Sequence, residues 1–121
     1  MIDLILVYDL NTNLATINTA LSTVNAVTAP SSNTTTISGG YVKIGRQITV
    51  TVKFTVVATT ISYAILLNGL LASIAPGSTF ECRNANGTIV TGIYIDTTMI
   101  YTTNALPTGT YVINGSYISA V

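Results

Sequence analysis

Residues 47–58 read Gln47-Ile48-Thr49-Val50-Thr51-Val52-Lys53-Phe54-Thr55-Val56-Val57-Ala58, and their apolar positions recur every second residue. Ile48, Val50, Val52, Phe54 and Val56 face one way; Gln47, Thr49, Thr51, Lys53 and Thr55 face the other. That alternation predicts a strand with one face in a core and the other in water. The β-branched residues that fill it suit a pleated surface.

The same period continues on both sides. Tyr41–Ile44 leads through a turn at Gly45-Arg46 into this strand. Ile61–Leu67 follows, apolar on both faces. Thr79–Asn84 places Phe80 and Cys82 on one side, Glu81 and Arg83 on the other. Asn86-Gly87 is a strong hairpin signal and leads to Thr88–Asp96, with Ile89, Ile93 and Ile95 inward. Strands near Met99–Thr103 and Thr110–Ile118 complete the set, and Pro107-Thr108-Gly109 and Asn114-Gly115-Ser116 mark turns or a bulge. Short strands with frequent turn signals predict a β-sandwich or barrel of the jelly-roll kind.

Upstream the period is seven. Val7, Leu10, Leu14, Ile17, Leu21 and Val24 are spaced alternately three and four apart, the seam of a coiled coil. The expected helix covers residues 9–26, with Asp9 or Asn11 as N-cap. Its flanks are Asn, Thr, Ser and Ala, so alone it is marginal and partner chains make it helical. Leu14 and Leu21 at a, with Leu10, Ile17 and Val24 at d, lean toward trimers or tetramers. Thr28–Gly40 has a linker composition, and Pro30 ends any helix. The expected layout is a trimerisation stem over 1–27, a linker over 28–40 and a sandwich head over 41–121. The fold class is thus mainly β: a coiled-coil helix followed by a jelly-roll-like antiparallel sandwich, trimeric. The doubly apolar Ile61–Leu67 asks for cover, from a neighbouring subunit or from a loop folded over the chain's own surface.

Composition narrows function. Of 121 residues, 49% are hydrophobic and 7% charged, against about a quarter charged in ordinary domains. Net charge is zero, and Lys43, Arg46, Lys53 and Arg83 form no basic run, which speaks against nucleic acid. No apolar run is long enough for a membrane span, and no signal peptide is expected after Met1. The single Cys82 leaves no intrachain disulfide. The Asn-x-Ser/Thr triplets from Asn33, Asn86 and Asn114 are read as turn chemistry.

The chain has no histidine, which excludes His-based triads, general bases and metal sites. Cys82 falls on the inward phase of a strand. The β-region holds only Glu81 and Asp96, and nothing in the sequence brings them together as a hydrolytic pair. No enzyme, metal or cofactor is expected. Binding is the better expectation. Tyr94 and Asp96 share the outward phase of one strand, Tyr101 follows a turn, and Arg83 lies outward on the strand paired through Asn86-Gly87. An aromatic face with a carboxylate and a guanidinium can hold a sugar. The alternative is that these tyrosines cover sheet edges or pack between subunits.

With stem, linker and strands laid out, the chain resembles the trimeric receptor-binding and baseplate proteins of tailed phages infecting Gram-positive bacteria. The resemblance rests on the heptad segment Val7–Val24, on Gly40-Tyr41-Val42-Lys43-Ile44-Gly45, and on the ending Pro107-Thr108-Gly109-Thr110-Tyr111-Val112-Ile113-Asn114-Gly115-Ser116-Tyr117-Ile118. It implies a homotrimer with a helical stem and a head that binds cell-wall saccharide. It also implies other tail or baseplate proteins as partners, and a virion location after assembly in the host cytoplasm. It carries over no binding residue. Two other readings stand beside it: a virion docking module without a sugar site, and the trimeric jelly-roll head of a bacterial surface protein.

Overall fold

A computed structural model of the chain describes residues 13–14, 24–29 and 33–121. Among them are β1 (Asn25–Ala26), β2 (Thr34–Ile44), β3 (Gln47–Val56), β4 (Ala64–Leu67), β5 (Glu81–Asn84), β6 (Ile89–Val90), β7 (Ile93–Asp96), β8 (Met99–Thr102) and β9 (Gly109–Ile118). All pairings are antiparallel. One sheet has the order β1-β2-β3-β9-β5-β6 and the other β4-β8-β7. The protein is mainly β, with two sheets that share one core, as in a β-sandwich.

β3 behaves as its period requires. Ile48, Val50, Val52 and Phe54 are fully buried, and the odd-numbered residues face out. Their partners on β9 continue the inner layer: Ile48 opposite Tyr117, Val52 opposite Ile113, Phe54 opposite Tyr111. The Phe54 and Tyr111 rings stack at 5.8 Å, and the Tyr111 hydroxyl donates to the Pro107 carbonyl at 2.7 Å, tying the β8–β9 loop to β9. From the second sheet come Leu66, Leu67, Ile93, Ile95 and Ile100, all fully buried.

Several expectations need correction. The helix does not run to residue 26: Asn25 and Ala26 pair with Tyr41 and Gly40 on β2, and Val27 is in the core. Hydrogen bonds to the β2 edge and burial of Val27 override the heptad pattern there. Asn13 and Leu14 have helical backbone; Leu14 is exposed, and Val24 is exposed and not helical. Val7, Leu10, Ile17 and Leu21 lie outside the described residues. The linker is also shorter, since Thr34–Gly40 belong to β2. The Thr-rich run is a good strand, and a bulge between Thr36 and Ser38 keeps it in register. Gly39 and Gly40 are required by close approach. A Cβ on Gly39 would lie 2.1 Å from the Thr51 carbonyl oxygen, and one on Gly40 2.0 Å from that of Asn25.

The doubly apolar Ile61–Leu67 has a local cause. β4 begins only at Ala64, and its register shifts between Ile65 and Leu67. The bulge sends both Leu66 and Leu67 into the core, so these two need no neighbouring subunit. The Thr34 hydroxyl, itself buried, donates to the Leu66 carbonyl at 3.0 Å. Ile61 and Tyr63 are outside the strand and strongly exposed.

The expected strand Thr88–Asp96 is two strands. The chain leaves the first sheet after Val90, turns at Gly92 (φ +82°) and joins the second sheet as β7. Ile89 therefore faces solvent, not the core. Asn114-Gly115-Ser116 is neither turn nor bulge, because β9 pairs with β3 without interruption there. Gly115 is needed because the Phe80 ring rests on it: a Cβ would lie 2.5 Å from Phe80 Cδ1.

Candidate functional site: an aromatic face on the three-stranded sheet

β7 and β8 form a hairpin in which Asp96 pairs with Met99 and Tyr94 with Tyr101. Ile93, Ile95, Ile100 and Thr102 fill the inner face, fully buried. The alternate residues Tyr94, Asp96, Met99 and Tyr101 therefore share the outer face. Ile65, opposite Tyr101 on β4, extends the row. The Tyr94 and Tyr101 rings stack at 5.6 Å with 16° between their planes, the offset geometry that aromatic pairs favour. The Tyr101 hydroxyl donates to Met99 Sδ at 3.6 Å, which fixes the ring's outer edge. Both tyrosines, Ile65 and Met99 are half-buried; Asp96 is exposed, and no described residue bonds its carboxylate.

The structure thus brings together three of the four expected ligand residues. Arg83 is not among them. It lies on the outer face of the six-stranded sheet, where its Nε donates to Glu81 Oε1 at 2.8 Å and its Nη1 to the Gly87 carbonyl at 2.9 Å. The split between β6 and β7 is the reason: residues expected on one strand occupy different sheets. The other cations are equally remote, with Lys43 on β2, Arg46 in the β2–β3 turn, where its Nε donates to the Ser119 carbonyl, and Lys53 on β3. Asp96 is the only formal charge on the three-stranded sheet. The face can stack on apolar ring surfaces and accept hydrogen bonds; it cannot neutralise an anion.

Ile65 and Met99 are the members that the sequence reading missed. Met99 shares the phase of Tyr101, and the β7–β8 pairing places both next to Tyr94 and Asp96. The obscured signal was the hairpin itself. Its loop residues Thr97 and Thr98 include no Gly or Asn, although Thr97 takes a positive φ of 53°, a conformation rare for a β-branched residue.

Two other features lie away from this face. A shallow pocket of about 180 Å³ lies between Asn84–Asn86 and Pro107–Tyr111. It is below the size of usual ligand sites, and two of its polar groups are already engaged: Asn84 Oδ1 accepts from the Asn86 and Thr88 N–H groups, and the Tyr111 hydroxyl donates to the Pro107 carbonyl. Cys82 is buried against Ile113 and Val90 on the neighbouring strands, and burial pushes its thiol up to about 11. It is a packing residue, because a thiol that stays protonated is a poor nucleophile. No group of three or more Cys, Asp or Glu that could hold a metal is present among the described residues.

No protein-family model, characterised protein or solved structure matches the chain.

Proposed function

We propose that this chain is the head of a tailed-phage tail or baseplate protein, a homotrimer that attaches to a saccharide of the host cell wall. The observation that carries the binding part is the stacked Tyr94–Tyr101 pair beside the unbonded Asp96 carboxylate on one outer face. Sugars offer apolar ring faces to aromatic side chains and hydroxyls to carboxylates. Three such sites on one trimer would add weak contacts into useful avidity. The strand order also supports a jelly roll. The chain changes sheet four times, and the late strands β9 and β8 insert between β3 and β5 and between β4 and β7.

A second reading has its own observation. Ile65 and Met99 flank the tyrosines, and a half-buried apolar and aromatic patch is also what a protein partner covers. Under that reading the head docks onto another virion protein. The two separate by one comparison. Purified Gram-positive cell walls and a panel of wall polysaccharides are offered to the wild type and to Tyr101→Ala. Attachment requires wall binding that Tyr101→Ala weakens at unchanged oligomeric mass. If no wall is bound and a tail or baseplate protein is captured by the wild type but not by Tyr101→Ala, the face is an interface between proteins.

A further inference from the structure

The chain has three Asn-Gly pairs: Asn68-Gly69, Asn86-Gly87 and Asn114-Gly115. In such a pair the glycine nitrogen can attack the preceding side-chain amide, provided that nitrogen is accessible and faces it. The three differ in this respect. Gly87 N–H is committed to the Asn84 carbonyl at 2.9 Å. Asn114 and Gly115 lie within β9, where Asn114 is paired on both sides, with Thr51 and Glu81. Gly69 N–H instead donates to the side chain of the preceding residue, Asn68 Oδ1, at 2.7 Å, on the exposed side. The nitrogen and the side-chain carbonyl that it would attack are already in contact, and rotation about the last side-chain torsion of Asn68 swings Oδ1 aside and turns the face of the carbonyl toward the nitrogen.

The same residue is a structural clip. Asn68 N–H donates to the Thr28 carbonyl and Thr28 N–H to the Asn68 carbonyl, both at 2.9 Å. A Cβ on Gly69 would lie 3.7 Å from the Ala26 carbonyl and 3.8 Å from Thr28 N and Oγ1. The N-terminal segment is thus paired to the first sheet through β1 and to the loop after β4 through Asn68.

We propose that Asn68 is a site of spontaneous deamidation whose product loosens the N-terminal segment from the head. The Gly69 nitrogen gives its proton to solvent and bonds to Asn68 Cγ; the Cγ–Nδ2 bond breaks and ammonia leaves, closing a five-membered succinimide. Water then opens the ring at either carbonyl and yields aspartate or isoaspartate, so the net change is one water consumed and one ammonia released. Isoaspartate routes the main chain through Cβ, and residue 68 can no longer present both its N–H and its C=O to Thr28. Both products put a negative charge on a residue whose backbone is paired with Thr28.

The test is to age the purified full chain in mildly alkaline buffer made with heavy-oxygen water, map peptides by mass spectrometry, and label isoaspartate with its methyltransferase. Residue 68 is expected to convert several-fold faster than residues 86 and 114, and the aged fraction to exchange the amides of residues 24–29 faster than fresh protein. Asn68→Gln, which extends the side chain and disfavours ring closure, is expected to keep that slow exchange over the same period. Conversion at 86 or 114 as fast as at 68 would overturn the site. Unchanged exchange over 24–29 in fully converted protein would overturn the release.

Discussion

Thr34 is 2% exposed and polar, and its hydroxyl accounts for a bulge in the opposite sheet. The bulge at Leu66 removes a carbonyl from the β4–β8 ladder, and Thr34 Oγ1 supplies the missing donor. Thr34→Val keeps the shape and leaves that carbonyl unsatisfied. It is expected to lower unfolding free energy by about 1–3 kcal/mol, measured by urea denaturation. Cys82 makes a pH prediction. Unfolded, its thiol ionises at its ordinary 9.0; folded, burial raises this to about 11. Tyr117, desolvated and near Tyr41, moves from 10.0 to about 12. Between each pair of values the unfolded chain holds fewer protons than the folded one, so stability falls as pH rises. The contribution of the thiol is complete below pH 9.0 and is lost as pH climbs through about 11. Urea midpoints are expected to decline from pH 9 upward, and Cys82→Val to flatten the first part of that decline.

At the scale of elements, what was legible depended on whether the cause was local. β3 was readable because its alternation is complete, and the β5–β6 hairpin because Asn86-Gly87 carries its own turn chemistry, with Gly87 at φ +79°. β1 was not readable: two residues become a strand only because β2 offers an edge. The break between β6 and β7 was hidden because Ile89, Ile93 and Ile95 keep one phase across Gly92 while the chain changes sheet. That one misreading put Arg83 beside Tyr94. Gly40 gives this scale its prediction. In Gly40→Ala the new methyl would meet the Asn25 carbonyl oxygen, so β1 should detach while the core holds. Amide exchange at Asn25 and Ala26 is expected to rise, with a stability loss of about 1–3 kcal/mol. Unchanged exchange there would mean that β1 accommodates a side chain by shifting.

For the whole molecule, the distribution of charge matters more than its sum. All four cations are on or beside the six-stranded sheet, and the aromatic face carries only Asp96. On the proposed reading, binding there would rest on stacking and hydrogen bonds, so raising ionic strength should leave saccharide affinity essentially unchanged, whereas recognition of an anionic polymer would weaken steeply. The pairing of Tyr94 with Tyr101 was half legible. Phase placed Tyr94 and Asp96 outward and a turn was expected before Tyr101, but Tyr101 comes opposite Tyr94 only because the hairpin turns at Thr97-Thr98, whose sequence lacks the Gly or Asn that would fix the position of a tight turn. The most direct measurement is titration of the wild type and Tyr101→Ala with purified Gram-positive wall polysaccharides. Binding by the wild type is expected, with a loss of about tenfold or more, roughly 1.4 kcal/mol, in Tyr101→Ala at unchanged mass and melting temperature. Equal affinity of the two proteins, or no polysaccharide bound by an intact trimer, would contradict that expectation.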